Sequence, residues 1–178
     1  MKKIKTVFLI DRDVNRATEV VQEGWVLEGE GLATIKFDGT STMVQNGELY
    51  KRYDAKGGKT PPDGFIPAEA APDTHTGHWP GWIKVSDNDP ADRWHREAFT
   101  EGGFEDGTYE LIGPKVQRNK YGLDRHRLVK HGSMTVAVGR TREELIRWLE
   151  ENEHEGLVFH HPDGRMAKLR RKDFGLKW

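Results

Sequence analysis

The run TSTMVQNGELYKRY, residues 40–53, constrains the fold more than any other stretch of the chain. Thr40 to Val44 and Glu48 to Tyr53 read as strands on either side of Asn46-Gly47. An Asn-Gly pair between two such runs is a strong hairpin signal, because both central residues of the favoured two-residue turn need positive φ. Similar punctuation recurs. Trp25 to Glu28 and Leu32 to Phe37 flank Gly29-Glu30-Gly31, and Gly156 to His160 and Arg165 to Arg170 flank Pro162-Asp163-Gly164. Thr6 to Ile10, Thr108 to Ile112, Arg127 to Lys130 and Thr135 to Val138 add further strands. A first helix opens at Pro90 with Asp89 as N-cap and ends near Gly102-Gly103. A second opens at the capping box Thr141-Arg142-Glu143-Glu144 and sets Leu145, Trp148, Leu149 and Asn152 at helical spacing. Residues 55–81, rich in Pro, Gly, Asp and Thr, read as one long loop. The pattern predicts a single α+β domain over residues 1–178, mainly antiparallel sheets with packed helices.

Composition narrows the function classes. With 178 residues, 35% of them hydrophobic and 32% charged, the chain suits one domain with a real core and a highly charged surface. No apolar run approaches membrane length, so no membrane partner is expected; the patch Val7 to Ile10 is too short for a signal peptide and stops at Asp11. The absence of cysteine excludes disulfides, thiolate metal sites and a cysteine nucleophile, and it allows a cytoplasmic setting, or a host's cytoplasm for a viral chain. The net charge of −1 hides segregation: Lys115 to His131 holds one acid among many bases, the segment Lys168 to Lys177 is also basic, and acids gather in Glu19 to Glu30 and Glu143 to Glu155. Such clustering fits an ordinary solvated surface or a basic face set against a polyanion.

One lysine stands out. Lys36 lies in LATIKFDG, among Ile35 and Phe37 and two residues before Asp38-Gly39. A strongly hydrated ammonium is costly to bury, so Lys36 either points to the solvent face of an alternating strand or lines a pocket that uses an amine. Further along come Arg52 in a basic strand, Glu110 among apolar neighbours in GTYELIG, Glu155 at the head of EGLVFHHPDG, and Lys168 with Arg170 two apart in MAKLRRKD, hence on one strand face. Taken singly, each has an ordinary explanation. Glu110 and Arg52 suit exposed strand positions, Glu155 ends an acidic run, and Lys168 and Arg170 suit a charge-guarded edge strand.

Taken in order, these residues resemble the signature motifs of the covalent nucleotidyltransferase superfamily, the ATP-dependent ligases and mRNA capping enzymes. Lys36-Phe37-Asp38-Gly39 is similar to motif I, Arg52 to motif Ia, Glu110 to motif III, Glu155 to motif IV, and Lys168 with Arg170 to motif V. Within the superfamily, YELIGPKVQRNKYG and EGLVFHHPDG most resemble RNA ligases. The loop DTHTGHWPGW, before a helix carrying Trp94 and Phe99, is similar to a small RNA-ligase family of animals, phages and large viruses.

The resemblance implies an ATP-grasp-like nucleotidyltransferase domain of the ligase and capping-enzyme type. It implies ATP as nucleotide and Mg2+ or Mn2+ as metal, and RNA with 5′-phosphate and 3′-hydroxyl ends as partner, joined through a covalent lysyl-AMP and an adenylylated RNA. It makes Lys36 the nucleophile, with Lys168 and Glu155 as further catalytic groups and Glu155 as metal ligand. Thr34, Ile35, Lys36, Gly39, Arg52, Glu110, Glu155, Lys168 and Arg170 would bind nucleotide, and Lys115, Arg118, Lys120, Arg125 and Arg127 would track RNA. On this reading burial and neighbouring cations favour the neutral Lys36 amine. The base would stack on Leu128, Val129 or Tyr121, since HRLVKH lacks the aromatic the family places there. Motif V lies so near Trp178 that no OB-fold domain with its motif VI is expected, which favours a minimal RNA ligase. The alternatives are a guanylyltransferase, a DNA-nick ligase, or a non-catalytic RNA-binding module of the same fold. His75 and His78 form too sparse a set to indicate a zinc site, and substrate contact or solvation suits them better.

Overall fold

Strand alternation governs both halves of the molecule. The computed structural model describes residues 4–178. In chain order the elements are β1 (Lys5–Thr6), β2 (Phe8–Asp11), β3 (Arg16–Val21), β4 (Leu32–Lys36), β5 (Thr40–Gln45), β6 (Glu48–Ala55), β7 (Ile66–Pro67), β8 (Trp79–Lys84), α1 (Arg93–Phe99), β9 (Gly107–Ile112), β10 (Arg127–Lys130), β11 (Thr135–Val136), α2 (Arg142–Glu151), β12 (Gly156–His160) and β13 (Met166–Arg170). The fold is α+β and mostly antiparallel. It divides into two compact units, Asp38–His131 and residues 4–37 with Gly132–Trp178. No helix among the described residues is long and apolar enough to cross a membrane.

The discontinuous unit is built on a five-stranded sheet ordered β1-β13-β12-β4-β11, with β1 parallel to β13 and the other pairs antiparallel. Its core face presents Ala33, Leu157, Phe159, Ala167 and Leu169, and these pack with Leu145 and Leu149 of α2 and with Val7, Phe8, Trp25 and Val26. The capping box of α2 forms: the Thr141 hydroxyl accepts from the Glu144 N–H, and the Glu144 carboxylate accepts from the Thr141 N–H. Leu157 is fully buried at the centre of this sheet, so Leu157→Ala removes apolar surface and leaves a cavity. A loss of about 2–5 kcal/mol is expected, read as a lowered Tm in thermal unfolding.

The continuous unit carries a six-stranded antiparallel sheet ordered β10-β9-β5-β6-β8-β7. Val44, Leu49, Tyr109, Leu111 and Leu128 line its core face, with Ala98 of α1 and Val85. The Asn46-Gly47 hairpin forms as its sequence dictates, both residues at positive φ, joining β5 to β6.

Four local readings are corrected. Trp25 to Glu28 is not a strand: Gly24–Val26 forms a 3₁₀ turn in which adjacent Trp25 and Val26 are both buried, which strand alternation onto one core does not allow. The segment 55–81 is not wholly loop, because β6 runs to Ala55 and Ile66–Pro67 and Trp79–Lys84 pair as strands. Gly81 lets the Phe65 ring lie against the β8 backbone, and Phe65 meets Tyr53 and Trp79 edge-on. The first helix is shorter than its caps suggest: Asp89 caps a 3₁₀ turn at Pro90–Asp92, and α1 itself ends at Phe99. Thr6 to Ile10 divides around buried Val7 into β1 and β2, and β2 pairs with β3, which the sequence did not announce.

Candidate active site

In the discontinuous unit, the pairing register sets a row of polar side chains on the sheet face opposite the core. Thr34, Val158 and Lys168 stand side by side across β4, β12 and β13; one step along the strands stand Lys36, Gly156 and Arg170. Cross-strand neighbours share a face, so Thr34, Lys36, Lys168 and Arg170 project together. Ile35 projects the other way and is buried. Ile35, the apolar residue before Lys36, is therefore one of the strand's inward positions. Gly156 puts no side chain between Lys36 and Arg170, and it is also required by the backbone, since a Cβ there would strike the Leu169 carbonyl.

Lys36, Arg170 and Thr34 on this face each have a hydrogen-bonding partner. Lys36 Nζ donates to Glu155 Oε2 at 2.5 Å and to the Phe37 carbonyl at 3.4 Å, with the Lys36 and Glu155 side chains 24% and 13% exposed. Arg170 is held in a two-pronged pair by buried Asp173, Nε to Oδ2 at 3.0 Å and Nη2 to Oδ1 at 2.8 Å. The Thr34 hydroxyl lies 3.0 Å from His160 Nε2 and donates to the Val158 carbonyl at 3.1 Å. Burial pushes the Lys168 ammonium down to about 8, helped by the charges of Arg170 and Lys36 and opposed by Asp173 and Glu155. The face thus combines an amine in contact with a carboxylate, a readily neutralised second lysine and a fixed guanidinium. Such a set suits attack on, and charge relief of, a phosphate.

In the continuous unit, Glu110 on β9 pairs with Ser41 on β5 and with Val129 on β10, all on the face away from the core. Its Oε1 accepts from the Gly39 N–H at 3.0 Å, and its Oε2 lies 2.8 Å from His131 Nε2. Gly39 sits so close to β9 that a Cβ would meet the Leu111 carbonyl and, at 2.9 Å each, the side chains of Glu110 and Ile112. Gly39→Ala is expected to cost about 1–3 kcal/mol in thermal unfolding through this overpacking. The Asp38 N–H donates to the Tyr121 hydroxyl at 2.6 Å, and Gln117 Nε2 donates to the Gly39 carbonyl at 3.4 Å. Segment 117–121 therefore braces the Asp38-Gly39 turn.

Arg52 lies on β6 opposite Trp82, its guanidinium 5.2 Å from that ring's centroid. Burial pulls it below its ordinary pKa, against the raising influence of Asp54 and Glu69. Of the residues proposed to stack on a base, Leu128 joins the core, Val129 shares the Glu110 face, and Tyr121 is engaged with Asp38. Lys115, Arg118, Lys120, Arg125 and Arg127 are all exposed, with Arg125 Nη2 2.8 Å from Glu101 Oε1. His78 Nδ1 lies 2.9 Å from Asp54 Oδ2 and His75 Nδ1 3.1 Å from the Thr74 hydroxyl, and no group of three or more His, Asp or Glu able to hold a metal occurs among the described residues. Reasoning from the sequence missed His131, Asp173 and His160. Asp173, three residues after Arg170 in a basic run, was the one with a local signal.

The family model described as RNA ligase 1 matches residues 99–178, the span that holds Glu110, Glu155, Lys168 and Arg170; Lys36 and Arg52 lie before it. RNA ligase 1 of Danio rerio is 31% identical over 142 residues, 60% of this chain and 43% of that protein. RNA ligase 1 of Pongo abelii and of Rattus norvegicus are 28% and 29% identical over 163 residues, each match covering 67% of this chain and 50% of the relative. The chain spans about half the length of the curated relatives it matches. The family model and these relatives agree with one another: over part of its length the chain is similar to RNA ligase 1.

Proposed function

We propose that this chain carries the nucleotidyl-transfer chemistry of an ATP-dependent RNA ligase with a covalent lysyl-AMP intermediate. The observation that carries the reading is the contact of Lys36 Nζ with Glu155 on a sheet face shared with Lys168 and Arg170. In the first step the neutral Lys36 amine attacks the α-phosphorus of ATP. The P–N bond forms, the α–β anhydride bond breaks, pyrophosphate leaves and the amine gives up a proton. Glu155, already touching Nζ, is placed to take that proton. Lys168 and Arg170 offset the charge that builds on the α-phosphate oxygens. By the resemblance, Glu110 accepts from ribose hydroxyls, Arg52 contacts a phosphate or ribose, and Thr34 and Gly39 line the nucleotide.

In the second step the AMP passes to an RNA 5′-phosphate, breaking the P–N bond and forming a new anhydride. In the third, an RNA 3′-hydroxyl attacks the 5′ phosphorus and AMP leaves. The fold assignment that goes with this chemistry is the ATP-grasp-like nucleotidyltransferase type. The exposed bases Lys115, Arg118, Lys120, Arg125 and Arg127 suit an RNA backbone.

A divalent cation fits this reading through Glu155, whose carboxylate is a hard oxygen donor. With one carboxylate from the protein, the ion would retain water and phosphate ligands, as magnesium prefers, and would supply charge neutralisation at the phosphates.

The test is a denaturing gel after incubation with magnesium and ATP or GTP labelled at the α-phosphate, with mass spectrometry of the untreated protein for AMP already attached. A band that needs ATP and is discharged by pyrophosphate is the expected result. A GTP-specific band would move the reading to capping chemistry. Absence of both band and attached AMP would favour an RNA-binding module.

A further inference from the structure

Glu110 is held from two sides, and one of the holders is His131, to which none of the motifs gives a role. The β9–β10 ladder ends where the His131 N–H donates to the Thr108 carbonyl at 3.0 Å, and this fixes the ring over the strand. Thr108 and Glu110 are two residues apart on β9, so they share a face, and the ring spans them. Nδ1 lies 2.9 Å from the Thr108 hydroxyl and Nε2 lies 2.8 Å from Glu110 Oε2. The side chains are half-buried, 24% exposed for His131 and 12% for Glu110. An ionised carboxylate only accepts, so Nε2 carries the hydrogen and donates to Glu110; in the neutral ring Nδ1 then accepts from the Thr108 hydroxyl. The other oxygen of Glu110 accepts from the Gly39 N–H at 3.0 Å. The carboxylate is thus pinned at both ends, and each oxygen, after one accepted bond among the described residues, retains capacity for another. Two neighbouring acceptor sites on one fixed carboxylate match a vicinal diol.

We propose that His131 is a positioning residue that orients Glu110 to accept from both ribose hydroxyls of the nucleotide, making the chain selective for a ribonucleoside triphosphate with an intact 2′,3′-diol. This rests on the nucleotidyl-transfer reading above and specifies its sugar selectivity. Without the His131 donor the carboxylate swings about its remaining Gly39 contact, and the cost falls on nucleotides that offer hydroxyls. A deoxy analogue, already lacking one bond, loses less. Glutamine places an amide N–H near the position of Nε2 and keeps the donor.

The experiment is self-adenylylation kinetics of the wild type, His131→Ala and His131→Gln with ATP, 2′-deoxy-ATP and 3′-deoxy-ATP, with thermal unfolding of each variant in parallel. His131→Ala should raise the KM for ATP roughly tenfold with kcat changed by less than about threefold, and should shrink the preference for ATP over either deoxy analogue by roughly tenfold. His131→Gln should recover most of both. A His131→Ala protein with wild-type KM and wild-type sugar preference would overturn the proposal while leaving the ligase reading intact. So would a uniform fall in kcat for all three nucleotides that glutamine does not rescue, because it marks a purely structural role. Wild-type protein that forms no adduct with any nucleotide, and carries none when purified, would overturn the ligase reading and this proposal with it.

Discussion

On the proposed mechanism, Lys36→Ala is expected to form no covalent adduct with the adenylyl group of ATP, a fall of more than about a thousandfold in labelling, because no other group would replace a nucleophile that must itself be bonded to phosphorus. Lys36→Arg does not restore it, since a guanidinium stays protonated and is no nucleophile at neutral pH. The fold should tolerate both changes. Lys36 lies on the polar face of β4, and its contacts are to Glu155 and the Phe37 carbonyl, not to the core formed by Ala33, Leu157 and Phe159. Far-UV circular dichroism and a Tm near the wild-type value should therefore accompany the loss of labelling. Glu155→Ala should weaken labelling severely while leaving Lys36 available, so residual adduct separates the proton acceptor from the nucleophile. Undiminished labelling in Lys36→Ala would sink the assignment, and peptide mapping of the adduct would then show which lysine is used.

How much of this was legible in the chain depends on whether the information was local. The Asn46-Gly47 hairpin and the Thr141 capping box were readable because turn and cap chemistry act over two to four residues, and both formed as expected. Lys36 was readable as an anomaly, but the meaning of its apolar flanks was not. Ile35 belongs to the other face of the strand, and only the register with Gly156 and Arg170 shows which charges Lys36 shares a face with. His131 lies 21 residues from Glu110 and reaches it only through the pairing of β10 with β9, so no sequence spacing announces the contact. Richness in Pro, Gly, Asp and Thr made residues 55–81 read as loop, yet Ile66–Pro67 pairs with β8, which begins at Trp79, and the Phe65 ring packs against Tyr53 and Trp79. Gly24–Val26 misled for the opposite reason: Trp25 and Val26 have strand-like side chains, but both are buried on a turn.

Lys168→Met should separate stability from chemistry. Its ammonium is pushed down to about 8, chiefly by burial and then by Arg170 and Lys36, against an ordinary value of 10.5. The sign follows from linkage. Below pH 8 the lysine is charged in both folded and unfolded chains, and the folded protein bears the full penalty of holding that charge; between pH 8 and 10.5 the folded form loses its proton first and stability from this group rises. Replacing the ammonium with an uncharged side chain of similar length therefore raises the Tm at pH 7, with the gain shrinking as the pH approaches 10. Adenylylation moves the other way. If the charge of Lys168 relieves the α-phosphate, its removal lowers the rate of adduct formation by roughly a hundredfold to a thousandfold, the usual cost of one such donor. The wild-type rate should also fall as pH rises through about 8, where Lys168 neutralises. Lys168→Arg keeps its charge across that range, so it should retain part of the activity and move the alkaline limb upward. Rate–pH profiles of the three proteins, with a Tm series on the same samples, decide the matter. A Lys168→Met protein that is more stable and equally active would show that the charge serves neither folding nor catalysis. A rate lost in step with stability would instead mark Lys168 as a structural residue of β13.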